Sequence, residues 1–181
     1  MTNRLTIDPA HSAIHFSVRH MMFAKVRGRF AAWTGALAFD EADPAAFSVD
    51  VAIEAASIDT GVAERDAHLR SADFLDVAQI DTIRFAGRAL EPLGGGRYRV
   101  HGELTIRDVT RPVVLETQHA GTGPVEWGHT RVAFTAAAAL DRREFGLQWN
   151  QVLEAGGVLV GERIDVELEV QAIRAAAASA A

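Results

Sequence analysis

Apolar and polar residues alternate with a period of two along much of the chain. Ile14, Phe16 and Val18 alternate with His15, Ser17 and Arg19, and Val49, Val51 and Ile53 with Ser48, Asp50 and Ala52. Tyr98, Val100, Gly102, Leu104 and Ile106 alternate with Arg99, His101, Glu103, Thr105 and Arg107. Near the end, Ile164, Val166, Leu168 and Val170 alternate with Asp165, Glu167 and Glu169. Successive side chains of a strand point to opposite faces, so this pattern predicts antiparallel strands with one face buried and one wet. Further strands are expected near residues 27–40, 82–90, 111–119 and 130–141. Glu41-Ala42-Asp43-Pro44, Gly94-Gly95-Gly96 and Gly121-Thr122-Gly123-Pro124 punctuate the runs, the triple glycine as a hairpin loop. The reading is all-β, with about eight strands joined mostly by short connections into a closed up-and-down barrel. A flat sheet of this length would leave long edges exposed.

One segment has helical character. Val62 to Arg70 follows Asp59-Thr60-Gly61, and Asp59 or Thr60 can cap it. Asp66 and Arg70 lie four apart and can pair along it. Two readings of this polar stretch stand side by side: a salt-bridged helix closing one barrel end, or a lid whose Leu69 and Phe74 gate a cavity. A turn of helix also fits residues 20–26. One domain is expected over residues 1–173, followed by an Ala-rich tail at 174–181.

The inward faces mix large and very small residues. Phe134 and Leu140 share a face with Ala136 and Ala138, Phe85 with Gly87 and Ala89, and Phe30 with Ala32, Ala36 and Ala38. An eight-stranded barrel is just wide enough to be filled by side chains or to hold one small ligand. Alternating Ala and Gly therefore means either an elongated apolar cavity or a match to the barrel's taper.

Composition narrows the function classes. The chain has 181 residues, 49% hydrophobic and 23% charged, which suits one folded domain and excludes intrinsic disorder. A net charge of -6 argues against duplex nucleic acid, and Lys25 is the only lysine among 18 basic residues. Cysteine is absent, which removes disulfides, thiolate catalysis and Cys-ligated metals. No apolar run is long enough to span a bilayer as a helix, and the opening residues lack the apolar core of a secretion signal. The expected location is the cytoplasm. Among the seven histidines, His11 and His15 can share a face while His20 points away, so no metal site is assigned. No Gly-x-Ser-x-Gly elbow exists, Asp66 and His68 diverge on a helix, and Glu167 with Glu169 reads as a solvated face. No catalytic residues and no cofactor are assigned.

Several stretches, taken in order, resemble the YceI-like family of bacterial lipocalin-like lipid-binding proteins. They are Asp8-Pro9-Ala10-His11-Ser12 with Ile14, Phe16, Val18 and His20, then Val26-Arg27-Gly28-Arg29-Phe30, then Ser57-Ile58-Asp59-Thr60-Gly61 with Arg65-Asp66-Ala67-His68-Leu69-Arg70-Ser71-Ala72-Asp73-Phe74. Gly102-Glu103-Leu104-Thr105-Ile106, Val109-Thr110-Arg111-Pro112-Val113, Asp141-Arg142-Arg143-Glu144-Phe145-Gly146-Leu147 and Val160-Gly161 complete the set, which runs from Ile7 to Ile173. Ile80-Asp81 stands where the family often has an aromatic residue before proline, and Asp108 where it often has glycine; both positions read as turns.

The resemblance implies an extended eight-stranded antiparallel lipocalin-like barrel around an apolar pore, with the short helix closing one end. It implies non-enzymatic binding, carriage or sequestration of a long isoprenoid-type lipid or related amphiphile. Family members are associated with dimers, and many are exported to the periplasm. The residues expected to line the pore are Phe16, Val18, Phe30, Ile53, Phe74, Phe85, Leu104, Val113, Leu115, Phe134, Phe145 and Trp149. Two alternatives remain open at this point. One is an enzyme acting on a barrel-bound lipid, which needs a convergent polar cluster in the lumen. The other is a stress-related interaction protein with a filled core.

Overall fold

The computed structural model describes residues 4–174. Its strands are β1 (Arg4–Ile7), β2 (Ala13–His20), β3 (Ala24–Phe30), β4 (Trp33–Ala38), β5 (Ser48–Glu54), β6 (Ile58–Asp59), β7 (Thr82–Gly94), β8 (Arg97–Ile106), β9 (Val109–Pro124), β10 (Thr130–Asp141) and β11 (Val160–Arg174). A ring runs β1-β4-β5-β7-β8-β9-β10-β11 and closes where Thr6 and Ile7 of β1 pair with Ile173 and Ala172 of β11. All of the pairings are antiparallel. β2 pairs with the first half of β11, β3 with β2, and β6 with β3, so β1/β2, β4/β3 and β5/β6 are three long barrel strands, each interrupted once. The result is the expected eight-stranded closed barrel.

The interruptions have local causes. Between β1 and β2 a turn at Pro9–His11 starts where proline supplies no donor to the ladder. The Asp8 carboxylate caps it, accepting from the Ala10 N–H at 3.0 Å, and lies 2.8 Å from His11 Nδ1 and 3.2 Å from Arg131 Nη1. These partners hold the Asp8 carboxyl below its ordinary range, the His11 hydrogen bond most. Between β3 and β4, Ala31 and Ala32 leave the strand and reset its parity. Trp33, Leu37 and Phe39 point inward as a result, and Ala36 and Ala38 do not share the inward face predicted for them. A bulge at Arg88 does the same in β7: Leu90 joins the core and Ala89 is exposed. The predicted break at Gly121–Pro124 is instead strand: β9 continues through it paired with β10, and the irregularity is a bulge at Ala120 just before it. The Gly94–Gly96 hairpin loop stands as expected, each glycine with positive φ.

The single α-helix among the described residues, α1 (Ala63–Arg70), occupies the predicted segment, but its capping and pairing differ. The residue before it is Val62, which offers no side-chain cap. Asp66 is 6% exposed and accepts from the Thr60 N–H at 2.9 Å and from the Thr60 hydroxyl. Arg70 donates to the Ala56 and Ile58 carbonyls at 2.8 and 3.0 Å, not to Asp66. Both bonds tie α1 to the β5–β6 end of the barrel. Residues 20–26 form no helical turn: Met21 and Met22 take left-handed φ values of 52° and 66° in a hairpin between β2 and β3. Arg174 ends β11, and the rest of the predicted Ala-rich tail lies outside the described residues.

Two apolar clusters pack inside the barrel. One gathers Leu5, Ile7, Leu37, Phe39, Phe47, Tyr98, Val132 and Phe134 toward the β1/β4 end. The other gathers Ile53, Ile58, Leu75, Ile83, Ile106, Phe145 and Leu147 toward the β2/β3 end and the helix.

Candidate functional site

The same inward-facing positions that build these clusters leave two cavities in the barrel. A wide chamber of about 200 Å³ lies toward β2, β3 and α1. A narrow one of about 90 Å³ lies toward β1 and β4. Val51, Phe85, Leu115 and Leu168 belong to both walls and mark the constriction between them.

Glycines make room for the rings at two levels. A Cβ on Gly28 would fall 2.3 Å from Phe16 Cζ, and one on Gly102 would fall 2.6 Å from Phe85 Cζ. Phe16 lies 5.6 Å from Phe30 across the wide chamber's wall. In the narrow chamber, Phe39 stands edge-on to Phe134 at 5.0 Å and to Tyr98 at 5.9 Å. Burial holds the Tyr98 phenol above its ordinary range, so it stays neutral. Where β6 ends, the segment 60–81 takes over the wall with Leu69, Phe74 and Leu75.

Of the residues expected on the pore, Phe16, Val18, Phe30, Ile53, Phe74, Phe85, Leu104, Val113 and Leu115 lie on the wall of the wide chamber. Phe134 lies on that of the narrow one. Phe145 is 2% exposed and packs into the core cluster, off the chamber wall. Trp149 is also off the wall, its ring 4.5 Å from His68 and 5.4 Å from Phe74 in an aromatic group at the helix. Wall residues absent from that expectation include Ile58, Leu75, Ile106, Leu140, Ile164 and Leu168. The period-two run of β11 already carried Ile164 and Leu168, whereas Ile58 and Leu75 sit in irregular segments with no such signal.

Polar groups at the wall are accounted for elsewhere. Arg142 is 3% exposed and donates to the carbonyls of Gly161, Leu147 and Trp149 at 2.8, 2.7 and 2.9 Å. Burial pushes its guanidinium below the usual value, countered by Glu162 and Asp141. It pins residues 147–161 to the end of β10 and lends the lumen its stem. His15 follows the outward parity of β2 and is exposed. His68 Nε2 lies 2.8 Å from Asp73, apart from the Asp66–Thr60 bonds. Among the described residues no three His, Asp or Glu side chains gather as a metal site.

A closed antiparallel barrel around an apolar lumen defines a lipocalin-like binding protein, able to hold an apolar ligand. Comparison with known proteins gives the particular family: residues 5–172 match the YceI-like domain, and the chain belongs to the YceI-like family. A UPF0312 protein of Vibrio cholerae is 34% identical over 165 residues, covering 91% of this chain and 83% of that one. The crystal structure of Burkholderia cenocepacia BcnA superposes with a TM-score of 0.80 at 22% identity, covering 91% of this chain and 98% of BcnA. A polyisoprenoid binding domain from Saccharophagus degradans, implicated in plant cell wall breakdown, matches with a TM-score of 0.67 at 15% identity over 97% and 99% of the two chains.

Proposed function

We propose that this protein binds a long apolar lipid of the isoprenoid type in its lumen, and carries or sequesters it without chemical change. The carrying observation is the wall of the wide chamber, built from Ile, Val, Leu and Phe side chains with the guanidinium of Arg142 turned away into carbonyls. Such a wall offers no group to bind a polar substrate or move a proton. It offers area: burial stabilises a chain by ~0.8 kcal/mol per CH₂, partly offset by ordering it. The Saccharophagus domain, described as polyisoprenoid binding, has this fold and supports the same ligand class. The open chamber argues against a filled-core role.

The chamber volumes lie below the ~300–1,000 Å³ of common ligand pockets. A long chain must therefore thread both chambers, and Phe85 at the constriction must swing aside. Titration of the delipidated protein with a polyprenol and with a long-chain quinone tests this reading. Saturable uptake of either, accompanied by mass spectra of the intact complex, is the expected result. Failure to take up any long apolar ligand would overturn it.

A further inference from the structure

The β2–β3 end of the wide chamber, where Val18 and Val160 line it, carries a run of exposed apolar side chains. Three consecutive exposed apolar residues, Met21, Met22 and Phe23, form the β2–β3 tip, and Phe23 is 96% exposed. The Met22 thioether lies over Gly157, and the Met21 N–H donates to the Leu159 carbonyl at 2.8 Å. The tip and the 151–159 loop, with exposed Val152, thus make one apolar lip. His20 at the base of the tip pairs with Val160, which lines the chamber together with Val18.

Turn chemistry does not ask for these residues. Left-handed positions favour Asn and Gly, whereas Met21 and Met22 occupy them here at the cost of strain. Beneath the lip, the outward face of the hairpin carries Arg19, Lys25 and Arg27, with Arg19 directly opposite Lys25. Arg29 pairs with Asp59, but Arg19, Lys25 and Arg27 make no ion pair among the described residues. Three unpaired cations in one patch stand out on a chain of net charge -6. Glu154 is the acidic residue within the loop of the lip.

We propose that the lip and its basic flank dock the protein on an anionic lipid bilayer, with Phe23 and the methionines entering the headgroup–acyl boundary. Aromatic and long apolar side chains partition there, and neighbouring Lys and Arg are drawn to negative surface charge. The geometry then sets the Val18–Val160 end of the wide chamber toward the membrane, the side from which an apolar chain would enter without crossing water. The docking goes beyond the cargo reading and is testable without any cargo.

The full chain, stripped of lipid, is sedimented with vesicles of phosphatidylcholine alone or of equimolar phosphatidylcholine and phosphatidylglycerol, at low and high salt. Binding to the anionic vesicles that weakens with salt is expected. Lys25→Glu with Arg27→Glu should weaken it by roughly tenfold or more, and Phe23→Ser should weaken it on every vesicle. All of these positions are exposed, and an unchanged Tm with unchanged polyprenol titration shows that fold and lumen are intact. Because the chain lacks cysteine, Ala24→Cys carries an environment-sensitive dye at one exposed site beside an intact Phe23. Its emission should shift to the blue on anionic vesicles, while the same dye at Val114→Cys on the outer barrel face should not respond. Absent binding at low salt, binding indifferent to these substitutions, or a Phe23-dependent dimer in sedimentation velocity would each overturn the proposal.

Discussion

The two halves of the lumen are made by the same ring of strands, yet one is crowded by edge-to-face rings and the other keeps about twice the open volume. At the β1/β4 end, Phe39, Tyr98 and Phe134 meet edge to face and leave about 90 Å³. At the β2/β3 end the wall is mostly aliphatic, with Gly28 and Ala138 among the barrel positions, and about 200 Å³ stays open. Aromatic pairs add attraction beyond their buried area, so the narrow half contributes stability for the same barrel circumference. The wide half keeps fewer such contacts, the Phe16–Phe30 pair among them, and needs a separate closure, which the 60–81 segment provides. The difference teaches that room for a ligand in a small barrel is a local choice of side chain, not a property of the strand count.

The largest effect should come from filling each half in turn. Ala136 and Ala138 lie two apart on the inward face of β10, Ala136 on the narrow wall and Ala138 on the wide one. Ala136→Phe should overpack the narrow half and cost ~1–3 kcal/mol, read as a lower Tm. Ala138→Phe should hold Tm close to the parent while blocking polyprenol uptake. Equal losses of Tm would break the comparison, because both halves would then be packed core.

A smaller effect tests the closure of the wide half. Asp66→Ala leaves the part-buried Thr60 N–H without its acceptor, at a cost of ~1 kcal/mol. Hydrogen exchange over residues 60–76 should accelerate while β8 and β9 keep their protection. A uniform rise across all strands would instead place Asp66 in the global core.

The smallest effect belongs to the narrow half. Asp8 clasps the β1–β2 break to β10 through Arg131. Its folded carboxyl titrates below the unfolded value of ~3.9, so its contribution is complete above that pH and is lost as pH falls through the lowered value. Asp8→Asn should flatten this part of the acid limb in urea titrations at successive pH values. An unaltered acid limb would assign the pH dependence to other carboxylates.

Much of the barrel was legible because period two is enforced wherever one face is buried. Thr130–Asp141 appears at its predicted bounds, and the inward set Phe134, Ala136, Ala138 and Leu140 keeps its parity throughout. Parity failed after Ala31–Ala32 and after Arg88, since an extra or released residue flips every side chain beyond it and leaves no mark in composition. The helix was found by its flanking turn residues, but its anchors were misread: Asp66 and Arg70 reach back to Thr60, Ala56 and Ile58, contacts that spacing along a helix cannot reveal. Phe145 and Trp149 lie in the irregular segment after β10, where no period-two pattern says which way a ring turns. The β2–β3 tip was illegible for a similar reason, because Met21 and Met22 carry none of the usual signs of a left-handed turn.

The outer edge of β3 has one more consequence. β6 reaches only Arg29 and Phe30, so from Ala24 to Gly28 no strand runs beside it among the described residues. An unpaired edge is a template for strands of other chains and a route to aggregation. Two copies meeting antiparallel along this edge would set Lys25 and Arg27 of each against the same cations of the other. Charge on an edge is a common safeguard against such pairing. The barrel can therefore stay unzipped beside its open chamber without becoming adhesive to itself.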